Sequence, residues 1–235
     1  MKTAKEILAR MVEHTNLNLD ATDKDIEKLC DEAKLANFGF VCVRPEKVEF
    51  AYHELCNFDT KVVSVVGFPE NKCTTLDEFI LEMNQHKTHE KVRQAKWALL
   101  YGAKEIDMVI DISALKNREF EFFKKDISSV VKASKGYAVK VIIETGFLED
   151  NEKVKAGVLA QEAGACFVKT STGYGVSGAT EQDIELLSMI LNEKTGIKAS
   201  GGIKSISYAF DLYNASQKYK QHEFRIGSSS LAEEF

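Results

Sequence analysis

The sequence predicts an α/β chain folded as one closed (β/α)8 barrel, a TIM barrel forming a single domain over residues 1–235. Three observations predict it. Eight short β-rich runs alternate along the chain with about eight longer helical patterns. Several of the short runs are almost continuously apolar, among them Val62-Val63-Ser64-Val65-Val66 and Val139-Lys140-Val141-Ile142-Ile143. Strands covered on both faces of a parallel sheet read this way. A length of 235 residues also suits such a barrel as one unit. An open, doubly wound sheet is the competing architecture.

In chain order, the first strand candidate is 11–14. A helix follows over 22–36, where Ile26, Leu29, Ala33 and Ala36 recur at spacings of three and four. Thr22 is its cap, and Asp23 and Asp25 in the first turn favour the helix dipole. Strands 40–43 and 62–66 come next. The helical stretch 75–101 contains a polar run, 84–91, where a break is expected. Strands 105–110 and 138–143, a helix over 151–163 and strand 166–169 continue the alternation. The helix 180–192 opens with Thr180 and Asp183, a capping pattern with Asp in place of Glu. Strands 197–200 and 224–227 complete the set.

Composition excludes several classes. Apolar residues make up 44% and charged residues 29%, which rules out collagen, a disordered tail and a disulfide-dense miniprotein. Thirty-one basic against 36 acidic residues give a net charge of −5, scattered along the chain, so no nucleic-acid partner is expected. The longest apolar runs are about six residues, against roughly 20 for a membrane span. Residues 1–10 lack the apolar core of a signal peptide, and a cytoplasmic protein is expected. Cys30, Cys42, Cys56, Cys73 and Cys166 are odd in number and form no CxxC, so they read as reduced, mostly buried thiols. No metal is expected. The histidines are scattered, and His86-Lys87-Thr88-His89 lies in a polar stretch without a carboxylate at a ligand spacing. No GxSxG elbow occurs.

Barrels place function at the C-terminal ends of their strands. After the sixth strand come Lys169-Thr170-Ser171-Thr172-Gly173-Tyr174-Gly175, after the seventh Gly201-Gly202, and after the eighth Gly227-Ser228-Ser229-Ser230. One such loop is an ordinary turn. Three converging loops of glycines and hydroxyls make a phosphate cradle, with backbone N–H groups free to point at an anion. Gly173-Tyr174-Gly175-Val176-Ser177-Gly178 matches GxGxxG, but the next strand ends in Lys198-Ala199-Ser200, with no acidic residue for a ribose. A dinucleotide site is not expected.

Lys169 and Lys198 fall at the ends of adjacent strands. Two neighbouring amines disfavour each other's charged form, and the one that loses its proton becomes a nucleophile for a carbonyl. A phosphate-binding or salt-bridged structural lysine remains the alternative. Asp107 lies between Ile106 and Met108 in an apolar strand, so its carboxylate is either paired or functional, and near two lysines it could move protons. Asp111, at that strand's end, is expected to be exposed.

These residues are embedded in longer segments: His14-Thr15-Asn16-Leu17, Val41-Cys42-Val43-Arg44-Pro45, Val66-Gly67-Phe68-Pro69, Gly102-Ala103-Lys104-Glu105-Ile106-Asp107-Met108-Val109, Lys140-Val141-Ile142-Ile143-Glu144-Thr145-Gly146, Phe167-Val168-Lys169-Thr170-Ser171-Thr172-Gly173, Lys198-Ala199-Ser200-Gly201-Gly202-Ile203 and Arg225-Ile226-Gly227-Ser228-Ser229. With them the chain resembles the deoxyribose-phosphate aldolases, class I (Schiff-base) aldolases on a (β/α)8 barrel. The resemblance implies roles. Lys169 would form the Schiff base, Lys198 would lower its pKa, and Asp107 would move protons with Lys198 and a water. Thr172, Gly173, Gly201, Gly202, Gly227, Ser229 and Ser230 would hold the substrate and its phosphate. The partners would be a small phosphosugar and aldehydes, 2-deoxy-D-ribose 5-phosphate giving D-glyceraldehyde 3-phosphate and acetaldehyde. No cofactor would be needed, and the family suggests a homodimer or homotetramer. Glu13 stands where the family usually has Asp before His-Thr. The segment after Pro69, to about Lys91, is longer than usual. The sequence given ends at Phe235 without the C-terminal tyrosine that some members use in proton transfer; water would substitute for it, or turnover would be lower. A different Schiff-base aldolase of the same barrel type, or a phosphosugar-binding protein without catalysis, are the competing functions.

Overall fold

The computed structural model describes residues 3–235; the first two residues of the stretch 1–10 lie outside the described residues. A short helix, α1 (Ala4–Ala9), precedes β1 (Val12–Asn16). Then follow α2 (Asp23–Leu35), β2 (Phe40–Val43), α3 (Val48–Leu55), β3 (Lys61–Val66), α4 (Leu76–Met83), α5 (Thr88–Leu100) and β4 (Glu105–Val109). The second half runs through α6 (Ile112–Lys116), α7 (Phe120–Ala133), β5 (Ala138–Ile142), α8 (Asp150–Glu162), β6 (Phe167–Lys169), α9 (Glu181–Ile190), β7 (Gly196–Ser200), α10 (Ile206–Ser216) and β8 (Phe224–Ser228). The strands are parallel and neighbour one another in sequence order. β8 closes on β1 through Val12↔Ile226, Glu13↔Gly227 and His14↔Ser228, which removes the open-sheet alternative.

Every expected strand is present; β2 keeps its expected ends and the other seven shift by one or two residues. β1 reaches Asn16 rather than His14, because Thr15 and Asn16 still pair with Cys42 and Val43 of β2. Ten α-helices, rather than about eight, are found among the described residues. The β3–β4 and β4–β5 connections each hold two, and the short α1 precedes the barrel. The stretch 75–101 does break inside its polar run: residues 84–87 separate α4 from α5. The caps form as their residue types dictate. Thr22 Oγ1 accepts from Asp25 N at 3.3 Å while Asp25 Oδ2 accepts from Thr22 N at 2.7 Å. Thr180 Oγ1 accepts from Asp183 N at 3.1 Å. Asp111 is half-buried rather than exposed, since its carboxylate caps α6 by accepting from Ala114 N at 3.0 Å.

Alternate strand residues face the barrel interior and the helix layer. On β4, Ile106 and Met108 join the apolar layer under the helices, while Glu105 and Asp107 meet charged partners inside. The helix layer is filled by side chains such as Phe38, Phe79 and Phe123, all without exposure. Lys91 of α5, 1% exposed, donates to Asp126 Oδ2 of α7 at 2.8 Å and to the Val109 carbonyl at the top of β4 at 2.9 Å. Removing one partner of such a buried pair typically costs about 3–5 kcal/mol. The tie therefore fixes the strand that carries Asp107. Cys30, Cys42 and Cys73 are buried, Cys56 and Cys166 are exposed, and none of the five is in a disulfide.

Candidate active site

Sheet register assembles the charged interior. β4 and β5 pair Asp107 with Lys140, and β6 and β7 pair Lys169 with Lys198. Both lysines at the strand ends converge on one oxygen: Asp107 Oδ2 lies 2.9 Å from Lys169 Nζ and 2.6 Å from Lys198 Nζ. Lys198 also donates to Glu13 Oε2. Lys140 lies 3.1 Å from Asp107 Oδ1, 3.3 Å from Glu13 Oε1 and 2.6 Å from Glu105 Oε2. Lys140, Lys198, Asp107 and Glu13 have no exposure and Lys169 has 2%. Thus Lys140 has three carboxylate neighbours, Lys198 has two, and Lys169 has one, which it shares.

The proton affinities follow this pairing. Burial disfavours every charged form here. For Asp107 the ammonium groups of Lys140, Lys169 and Lys198 overcome burial and hold the carboxyl well below its ordinary range. For Lys140 the charges of Asp107, Glu13 and Glu105 overcome it and hold the ammonium above its ordinary range. Lys198 is likewise raised by Asp107 and Glu13. Lys169 alone of the three is pushed below its ordinary value, first by burial and then by the Lys198 charge, against the pull of Asp107. Proximity of the two lysines contributes as the sequence suggests, but burial is the larger cause. Burial also pushes the neighbouring Cys42 thiol up to about 12. Glu13, Cys42 and Asp107 are close enough to ligate a metal, but the positive charge among them comes from the lysines.

Above this cluster a cavity of about 460 Å³ opens at the C-terminal mouth. All seven residues marked in the sequence as binding candidates line it: Thr172, Gly173, Gly201, Gly202, Gly227, Ser229 and Ser230. Gly173, Gly201 and Gly202 have φ of +83°, +86° and +74°, the left-handed region that glycine enters without strain. A Cβ on Gly178 would meet the Gly201 carbonyl oxygen at 2.1 Å, so the β6 and β7 loops touch backbone to backbone. That contact explains the late glycine of the GxGxxG match. Gly227 joins the two levels: a Cβ there would lie 3.2 Å from Lys198 Cε and 2.7 Å from Ser200 Oγ.

Several residues of the site escaped the sequence reading. Lys140 is a charged residue inside an apolar strand, the same signal that singled out Asp107, whereas Glu13, marked only by its place before His-Thr, lies in a mostly polar strand. Lys72, Tyr174, Lys204 and Ser228 line the cavity as well. The long segment after Pro69 forms part of the rim: Lys72 faces the cavity and Cys73 N donates to the Tyr174 carbonyl at 2.7 Å. Tyr174 Oη in turn donates to the Leu17 carbonyl at 3.0 Å, which Arg44 Nε also reaches at 2.6 Å. Glu144, at the end of β5, is a non-glycine residue at φ +56°, a conformation costing roughly 1–2 kcal/mol.

Geometrically the site can hold a dry, weakly paired amine beneath a pocket rich in backbone donors. Residues 7–217 match the DeoC/LacD family aldolase profile. The chain is 45% identical over 230 residues to the deoxyribose-phosphate aldolase of Thermococcus kodakarensis, covering 96% of this chain and 94% of that one. It is 45% identical over 221 residues to the enzyme of the same name from Thermotoga maritima, covering 93% and 81%. Among solved structures, the tetrameric deoxyribose phosphate aldolase of Aeropyrum pernix superposes with a TM-score of 0.80 at 28% identity, over 97% of this chain and 88% of that chain. An aldolase called QR15 gives 0.83 at 31% identity, over 97% and 95%. The chain belongs to the DeoC/LacD aldolase family and is an aldolase, a lyase of carbon–carbon bonds.

Proposed function

We propose that this family member cleaves 2-deoxy-D-ribose 5-phosphate reversibly to D-glyceraldehyde 3-phosphate and acetaldehyde, through a Schiff base on Lys169. The observation that carries the reading is the asymmetry of the three buried lysines. Lys169 has one shared carboxylate and a lowered pKa, and it stands at the strand end nearest the loops. A buried amine that gives up its proton more readily than an ordinary lysine is the nucleophile a carbonyl requires.

In this scheme the neutral Lys169 amine adds to C1 of the open-chain aldehyde, and loss of water gives an iminium. The C3 hydroxyl gives up its proton to the Asp107–Lys198 pair through a water, the C2–C3 bond breaks, and its electrons enter the iminium as an enamine. D-Glyceraldehyde 3-phosphate leaves. Proton return to the enamine carbon and hydrolysis release acetaldehyde and restore the amine. The iminium is itself the electron sink, so the chemistry calls for no cofactor. The backbone donors at Gly173, Gly201, Gly202 and Gly227, with Thr172, Ser229 and Ser230, take the phosphate end. The reaction runs in the cytoplasm on a single catalytic domain that assembles as a homodimer or homotetramer, which light scattering of the purified protein measures.

The test is product identification. The enzyme, given deoxyribose 5-phosphate alone, is expected to release both aldehydes in equal amounts, read by coupled dehydrogenases. Release of a different aldehyde would assign it to another Schiff-base reaction, and saturable binding without cleavage would make it a phosphosugar-binding protein.

A further inference from the structure

Glu144 takes no part in the scheme above, yet it combines two costs. Its backbone sits at φ +56°, where a glycine would be unstrained, and its carboxyl is completely buried. The carboxyl lies under the loop that follows Lys169. Oε2 accepts the Thr172 N–H at 2.9 Å. A Cβ on Gly175 would lie 2.7 Å from Oε1, so the loop can close over the second oxygen only because residue 175 is glycine. No protein donor among the described residues reaches Oε1. The flanking backbone is tied to the same loop: Ile143 N donates to the Lys169 carbonyl at 3.0 Å and Thr145 N to the Thr170 carbonyl at 2.9 Å. Of residues 172–175, Thr172, Gly173 and Tyr174 line the cavity. The charged or titratable groups facing this carboxyl are Lys169 from β6 and Cys73 from the β3–α4 connection. Burial outweighs the Thr172 hydrogen bonds and the Lys169 charge, and lifts Glu144 to about 7.

We propose that Glu144 is a positioning residue whose carboxyl sets the backbone of residues 172–175 for the phosphate group of the substrate. The proposal rests on the phosphosugar reading above. Three variants separate it from a merely structural role. Glu144→Ala removes the acceptor, and Glu144→Gln keeps an acceptor oxygen. Glu144→Gly removes the acceptor and the backbone strain together, so folding is not impaired by φ.

Kinetics with deoxyribose 5-phosphate and with unphosphorylated 2-deoxyribose are compared. Glu144→Ala and Glu144→Gly are expected to raise KM for the phosphorylated sugar about tenfold, with kcat and the constants for 2-deoxyribose within about threefold of the parent. Glu144→Gln is expected to restore that KM. A parental KM in Glu144→Gly would overturn the proposal, as would an equal loss on both sugars that Glu144→Gln does not rescue. Calorimetric titration with inorganic phosphate reads the same loop without turnover. If the parent protein binds phosphate but cleaves no deoxyribose 5-phosphate, the reaction assignment fails. The positioning role then stands or falls on whether Glu144→Gly weakens phosphate binding.

Discussion

Lys140, Lys169, Lys198, Asp107 and Glu13 stand on strands and are at most 2% exposed. A few ångströms above them, Gly173, Gly202 and Ser229 stand on loops and are exposed to solvent. The first group works by charge that water cannot screen, so each pKa is set by which neighbours the register supplies. The second works by backbone groups that glycine leaves uncovered, so its properties are set by φ and by the absence of a Cβ. In the strands a substitution changes ionisation, and at the mouth it changes shape.

The strongest way to break that contrast is Lys169→Leu. It is expected to lower kcat on the order of 10⁴-fold, about 5.4 kcal/mol of transition-state stabilisation, with the thermal transition preserved. A fully active variant would remove the Schiff-base assignment. Lys140→Met separates pairing from chemistry. It leaves Glu13, Glu105 and Asp107 short of a buried partner and is expected to cost about 3–5 kcal/mol in urea unfolding while Lys169 still forms its adduct. Unchanged stability with loss of the adduct would place Lys140 in the chemistry instead.

Lys198→Leu sharpens the electrostatic half. The Lys198 charge lowers the pKa of Lys169, so its removal raises that pKa and leaves less free amine at neutral pH. The acidic limb of the pH–rate profile is expected to move upward, with activity at pH 7 falling roughly 100-fold. A profile that does not move would count against coupling between the two lysines. The smallest effects belong to the mouth. In Gly202→Ala the new Cβ enters open space and only the φ of +74° resists it, at about 1 kcal/mol. Gly201→Ala adds a contact of 2.9 Å to the Gly178 Cα and is expected to be the more destabilising of the two. Equal losses in thermal denaturation would show that the two loops are not packed as described.

Much of this was legible in the sequence, for a physical reason in each case. Parallel strands buried on both faces read as apolar runs, so a charge such as Asp107 inside one announces a partner. Lys140 carries the same signal, Glu13 in its polar strand does not, and only the register shows that three lysines share the carboxylates. Gly173, Gly201 and Gly202 of the β6 and β7 loops were legible because few residues serve where φ is positive. Glu144 was not. Beside Thr145 and Gly146 it resembles a turn, and its partner is a backbone N–H 28 residues away, which leaves no mark on side-chain pattern. The split of α4 from α5 was legible in the polar run 84–91, whereas α6, a five-residue helix, is too short to show a period.

The most direct measurement is peptide mapping after borohydride reduction with acetaldehyde, repeated across a range of pH. A stable ethyl adduct is expected on Lys169 alone, forming at a lower pH than an ordinary lysine requires. An adduct on Lys140 or Lys198, or labelling of Lys169 only under strongly alkaline conditions, would contradict it.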